Sequence, residues 1–195
     1  MGVLKEQSER FISAAEYLAM EDEAFEKHEY YNGKIVKMPG ASTLHNIIAV
    51  NISTQLSNEL DKKNKEYYVL NSDTRIHIPK LNYFVYPDAV VVCEKIEHYP
   101  DSATVITNPL LIVEVLSEST EEYDRGEKFH NYKRIASFKE YVLVIQKIPL
   151  VTASYRIKPN TWEDTEAEGL ESSINLRSLE ISLDLKKIYK SIPFS

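Results

Sequence analysis

Cysteine is almost missing from this 195-residue sequence: Cys93 is the only one. An internal disulfide is therefore excluded, which fits a reducing compartment and gives the cytosol as the expected location. Glycine is also sparse, with five residues, and none of them builds a phosphate-cradling loop. The five histidines show no zinc-ligand spacing such as His-x-x-x-His. Long hydrophobic runs are absent. Stretches such as Ala89-Val90-Val91-Val92-Cys93 and Leu110-Leu111-Ile112-Val113 are far too short to cross a bilayer. Residues 1–6 reach acidic side chains at once without an apolar core, unlike a signal peptide. Excess positive charge is missing too. The net charge of −7 argues against a protein that simply coats nucleic acid, which requires a basic face. It leaves room for an enzyme that holds divalent cations in an acidic pocket.

What the chain does have is a globular composition, with 43% hydrophobic and 27% charged residues. Repeats and linkers are lacking, so a single domain over 1–195 is expected. Thirteen tyrosines suit edges, interfaces and half-buried strands, because the ring is large and its tip polar.

Apolar spacing predicts a first helix over 11–18 with Ser13 as cap. Asn32-Gly33 sits between two β-prone arms over 29–36 and predicts a tight hairpin. Leu44, Ile47, Ile48, Ile52, Leu56 and Leu60 recur at helical spacing over 42–63, with Ser42 or Thr43 as cap. Strands are expected at 67–70, 74–78 and 83–86 as a meander. Two more, at 88–94 and 110–117, have apolar centres that mark burial on both faces. A helix capped by Ser119 or Thr120 should run to about 136, followed by a buried strand at 141–145. That order makes a mixed α/β core. The remainder reads as a strand at 151–157, an acidic turn region at 161–169 and a closing helix at 183–189.

The anomaly in this pattern is Glu114, a carboxylate inside Leu110-Leu111-Ile112-Val113-Glu114-Val115-Leu116. An ionised carboxylate there is costly unless a divalent metal or a basic partner compensates it, or unless the strand emerges into solvent. Asp88 heads a second apolar strand. Taken alone it reads as a turn residue after Pro87. Adjacent strands lie roughly 4.8 Å apart, so if the two strands pair, both carboxylates can share one Mg²⁺ or Mn²⁺. Asp124, Lys128 and Tyr132 follow at spacings of four and share a helix face. Lys128 either reaches back into the acidic site or forms an ordinary surface pair with Asp124. Cys93 reads as a small core residue and Trp162 as an edge anchor.

Pro87-Asp88, 25 intervening residues and Glu114-Val115-Leu116 resemble the PD-(D/E)XK signature of restriction-endonuclease-like nucleases. More narrowly, the chain resembles the Uma-type restriction endonuclease family over nearly its whole length. The resemblance rests on Ala15-Glu16-Tyr17-Leu18, the Glu29-x-x-Asn32-Gly33-x-Ile35-Val36-x-Met38 hairpin, His45, Ser72-Asp73-x-Arg75, Pro87-Asp88, Val113-Glu114-Val115-x-Ser117, Asp124-x-x-x-Lys128-x-x-x-Tyr132 and Glu140-Tyr141-Val142-Leu143-Val144. It implies a restriction-endonuclease-like mixed β-sheet flanked by helices, with an N-terminal helix and hairpin.

By the same resemblance, Asp88, Glu114, the Val115 carbonyl and Glu29 would bind Mg²⁺ or Mn²⁺. His45, Tyr132 and Asp124 would support the site. Leu116 stands where the superfamily signature has lysine, so Lys128, on the next helix, is the expected replacement. The implied activity is endonucleolytic hydrolysis of DNA, by a homodimer in which two sites meet two strands. A catalytically silent module of the same fold and a metal-dependent hydrolase of a smaller substrate are the alternatives.

Overall fold

The computed structural model describes residues 10–117 and 120–194. The expectations for residues 1–6 and for a cap at Ser119 lie outside the described residues. The chain starts with α1 (Ala14–Glu21), and Ser13 is its cap. The Ser13 hydroxyl accepts the Glu16 N–H at 3.2 Å while the Glu16 carboxylate accepts the Ser13 N–H at 2.9 Å. This reciprocal capping box satisfies two orphan donors. It, rather than Phe11, sets the start of the helix, three residues later than the apolar spacing suggests.

The hairpin β1 (His28–Tyr31) and β2 (Lys34–Lys37) turns through Asn32 and Gly33 at φ 44° and 107°. Gly33 is needed twice over: a Cβ there would lie 2.2 Å from the Phe11 ring. Next comes α2 (Thr43–Leu60), capped by Ser42. The following strands are β3 (Tyr67–Asn71), β4 (Arg75–Ile78), β5 (Tyr83–Val85), β6 (Ala89–Cys93), β7 (Val105–Ile106) and β8 (Leu111–Leu116). After these come α3 (Glu121–Tyr123), a π-helical turn (Asp124–Lys128) and α4 (Phe129–Tyr132). The chain then forms β9 (Glu140–Ile145), β10 (Leu150–Lys158), β11 (Thr161–Glu168), the hairpin β12 (Ser173–Leu176) and β13 (Ile181–Asp184), and α5 (Leu185–Ile188).

The central sheet runs β11-β10-β9-β8-β6-β3, with β8 and β9 parallel and the other neighbours antiparallel. A smaller sheet runs β2-β1-β5-β4-β7. This is the expected mixed α/β architecture. On one face of the central sheet, Ile48, Ile52, Leu56 and Leu60 of α2 join Ala89, Val91, Leu111, Val113 and Val115, together with the C-terminal hairpin and α5. On the other face, Val90, Val92, Ile112 and Leu116 meet Ile76, Ile78, Val85, Tyr132, Ile135 and Phe138. No helix among the described residues is long and apolar enough to cross a membrane.

Four sequence expectations need correction. The meander does not hold, because β3 pairs with β6 in the central sheet while β4 pairs with β5 in the smaller one. Residues 161–168 are not a turn region but an edge strand, paired to β10 from Leu150↔Glu168 onward. Its acidic residues point to solvent, as charges on an exposed edge do. The helix expected to run to about 136 ends at Tyr132 and carries the π turn. Gly126 lies in that turn, where poor helix propensity makes a departure from α geometry cheap. The expected closing helix over 183–189 begins as strand β13 and is helical only from Leu185 to Ile188. Trp162 does sit on the edge strand, its ring 5.0 Å from that of Phe129, and Cys93 is half-buried at the end of β6.

Candidate active site

Strand alternation decides where the two acidic residues go. On β6, Ala89 and Val91 face the α2 side while Val90 and Val92 face away; on β8 the same split separates Leu111, Val113 and Val115 from Ile112 and Leu116. Glu114 therefore takes the face turned away from α2, whereas Asp88 sits one residue before β6 and reaches His45 in the first turn of α2. The ladder pairs Ala89 with Val113 and Val90 with Ile112. Asp88 lies one residue before the Ala89↔Val113 pair and Glu114 one residue after it, so both stand at this end of the ladder, near enough that the charge of Asp88 acts on Glu114.

Glu114 is 3% exposed, and the helical segment after β8 brings Asp124 and Lys128 over it at 5% and 6%. The Lys128 ammonium lies 2.8 Å from Glu114 Oε1, 3.6 Å from Asp124 Oδ1 and 3.8 Å from Glu29 Oε1. It also donates to the Tyr86 carbonyl at 3.2 Å. The Tyr132 hydroxyl donates to Glu114 Oε1 at 3.0 Å. The π turn adds one residue to the i→i+4 ladder, a feature that recurs at functional sites. Here both of its ends, Asp124 and Lys128, are buried. Lys128 is thus a buried counter-ion rather than one half of a surface pair.

Burial pushes the Glu114 carboxyl well above the ordinary glutamate value, against the pull of Lys128, and neighbouring Asp124 and Asp88 add to the rise. Burial raises Asp124 in the same way. For Lys128 burial alone would lower the value, but Glu114, Glu29 and Asp124 outweigh it and hold the ammonium well above the ordinary lysine value.

Asp88 is held from two sides. Its Oδ2 lies 3.0 Å from His45 Nε2 and accepts the Val115 N–H at 2.7 Å. Burial would lower the His45 value, yet the hydrogen bond and charge of Asp88 hold it above the ordinary histidine. Glu29 is 8% exposed. Its Oε1 accepts the Tyr86 N–H at 3.1 Å and its Oε2 accepts the Tyr31 hydroxyl. Tyr31 in turn meets the Tyr123 hydroxyl at 2.6 Å.

A cleft of about 1680 Å³ opens over these groups. Glu29, His45, Asp88, Glu114, Val115, Asp124 and Lys128 line it, and Tyr132 supports Glu114 from behind. The structure thus gathers the residues singled out in the sequence around one cleft. The sequence did not single out Tyr31, Tyr123 or the backbone of Tyr86. Their signal was the tyrosine surplus, which carries no position. His28 pairs with Glu21 through Nδ1 at 3.0 Å, and His130 is exposed.

Three carboxylates, Glu29, Glu114 and Asp124, face one ammonium in this cluster, and Asp88 adds its negative charge beside Glu114. Among the described residues, the contacts of Asp88 fall on Oδ2 and those of Glu114 on Oε1. That leaves Oδ1 and Oε2. These oxygens with the Val115 carbonyl make a hard-oxygen set suited to Mg²⁺ or Mn²⁺, which commonly use one or two carboxylates and keep several waters. Among the described residues no three His, Cys, Asp or Glu side chains gather in metal-holding geometry. The expected third side-chain ligand, Glu29, bonds to Tyr31 and the Tyr86 N–H and lies 3.8 Å from Lys128; its strand β1 belongs to the smaller sheet, not to the β6–β8 ladder.

Comparison with known proteins gives a concordant picture. Residues 14–186 match the model of the Uma2 family, described as "Putative restriction endonuclease". Two proteins of Synechocystis sp. (strain ATCC 27184 / PCC 6803 / Kazusa) are similar over most of the chain. "Uncharacterized protein sll1609" is 34% identical over 172 residues, 88% of this chain and 96% of the relative. "Uncharacterized protein slr1290" is 34% identical over 183 residues, 94% of each chain. The fold resembles a crystal structure from Anabaena variabilis ATCC 29413 described as "a putative nuclease belonging to DUF820". That likeness has a TM-score of 0.70 at 19% identity and covers 91% of this chain and 97% of the other.

Proposed function

The chain belongs to the Uma2 family, and from that premise we propose that it is a single-domain, metal-dependent endonuclease hydrolysing phosphodiester bonds in DNA. The observation that carries this reading is the pair Asp88 and Glu114. They stand together at the end of the β6–β8 ladder and line one open cleft, with Lys128 2.8 Å from Glu114. Asp88, Glu114 and the Val115 carbonyl would hold the cation. A bound Mg²⁺ or Mn²⁺ would supply an activated water and neutralise charge on the scissile phosphate.

The protein's own groups do the positioning. Lys128, buried and kept protonated by three carboxylates, would supply a fixed positive charge to stabilise the negative charge that develops on the scissile phosphate. Glu29 and Asp124 orient that ammonium, and Tyr132 orients Glu114. A homodimer would present two such clefts to the two strands of a duplex, and sedimentation of the purified chain tests that assembly.

The net charge of −7 and the single lysine among four carboxylates favour a second reading, a catalytically silent module or a hydrolase of a smaller substrate. Supercoiled plasmid incubated with Mn²⁺ separates the readings. Wild-type protein should nick it, and Asp88→Ala should lose at least ~1000-fold in rate, about 4 kcal/mol of transition-state stabilisation. Equal inactivity of the two proteins would support the silent module, and cleavage of small phosphodiesters alone would support the third assignment.

A further inference from the structure

His45 lies in the first turn of α2, where the Ser42 hydroxyl accepts its backbone N–H at 3.1 Å and fixes the start of the helix. From there its Nε2 reaches Asp88 Oδ2 at 3.0 Å. A carboxylate only accepts, so Nε2 carries the proton. The Val115 N–H reaches the same oxygen at 2.7 Å. Two donors from two separate elements, α2 and β8, therefore converge on one carboxylate oxygen and set the rotation of the group.

The other ring nitrogen, Nδ1, is buried and has no hydrogen-bond partner among the described residues. A ring kept for packing alone would be better replaced by a hydrocarbon, since a buried orphan polar atom is costly. The imidazole is thus retained for what Nε2 does.

We infer that His45 is a positioning residue for the cation, holding Asp88 so that Oδ2 is committed to the protein and Oδ1 is left to the metal. The inference rests on the metal-dependent reading above. Hydrogen-bonded partners of metal-binding carboxylates fix ligand direction, and losing one typically weakens metal binding by about 10–100-fold. The donor is specific in reach. A glutamine at this position can place its amide nitrogen where Nε2 lies. An asparagine places its nitrogen nearer Nδ1 and short of Asp88.

Calorimetric titration of the full chain with Mn²⁺ tests the inference, using wild type, His45→Gln and His45→Asn, with metal-free melting temperatures measured alongside. The expected result is Mn²⁺ affinity near wild type for His45→Gln and about 10–100-fold weaker for His45→Asn. An Asn variant that binds as tightly as wild type overturns the inference. So does a Gln variant that melts like wild type yet binds no better than the Asn variant. Failure of wild type itself to take up Mn²⁺ would instead remove the metal-dependent reading on which the role of His45 stands.

Discussion

Leu111, Val113 and Val115 on one side of β8 join the apolar cluster beneath α2, whereas Ile112 and Leu116 on its other side flank Glu114, with Lys128 and Tyr132 above it. Both sets come from the same six residues and differ only in parity. On the α2 side the buried polar groups are satisfied by the backbone around them: Gln55 spends both ends of its amide on Asp184, and the Glu140 carboxylate accepts the Arg177 N–H and the Ser178 N–H and hydroxyl. The opposite side buries charges whose mutual compensation is incomplete. One surface of the sheet thus supplies stability, while the other spends some of it on a poised charge cluster, as functional sites commonly do.

Three experiments would sharpen or break this contrast. The largest effect is expected for Lys128→Ala, which leaves Glu114, Asp124 and Glu29 without their shared cation. Removing one partner of a buried pair costs about 3–5 kcal/mol. Urea denaturation at pH 7 should show that loss, and the loss should shrink in acid as the carboxylates protonate. A loss that stayed constant with pH would mean Lys128 acts by packing.

Leu111→Ala, beneath α2, should cost about 3 kcal/mol through lost burial and a residual cavity. Unlike the lysine variant, it should keep its cost unchanged between pH 5 and 7 and leave Mn²⁺ binding by the folded protein intact. Altered metal affinity in this variant would show that the two sides of the sheet are coupled.

The smallest effect concerns pH in the wild type. Glu114 and Asp124 have folded values raised above the ordinary 4.5 and 3.8. Over the range they titrate, the native state therefore holds more protons than the unfolded one. Their contribution to stability must then fall as pH rises above those ordinary values. Buried His77, lowered from the ordinary histidine value, opposes this fall just below that value, so the carboxylate part is read as the difference between wild type and Asp124→Asn from about pH 5 to 6. Asp124→Asn should flatten it. Identical pH slopes in the two proteins would contradict the burial of Asp124 in protonatable form.

Much of this organisation was legible in the chain itself. Asn32-Gly33 announced its turn because few other dipeptides tolerate positive φ at both positions, and Ser13 and Ser42 announced their helices because each hydroxyl satisfies an otherwise orphan N–H. The edge strand β11 was illegible: Trp162-Glu163-Asp164-Thr165-Glu166 reads as turn because its polarity reflects solvent on an edge, not a lack of pairing. The split of β3 from β4 was equally hidden, since a three-residue link is the same whether the next strand pairs in the same sheet or turns into another. At the site, Glu114 stood out as a carboxylate in an apolar run. The tie of Glu29 to Tyr31 and Tyr86 did not, because those contacts join residues brought together by separate strands.

Local sequence determined the strand periodicity, the caps, the turn and the oddity of acidic residues at Asp88 and Glu114, all of which follow from backbone sterics and the cost of burying charge. The tertiary structure alone decided that β6 pairs antiparallel with β8 in a register bringing those two carboxylates to one end of the ladder, and that a π turn sends Lys128 inward to meet Glu114. Register and helix phase depend on the packing of the whole sheet, which no short stretch of residues contains.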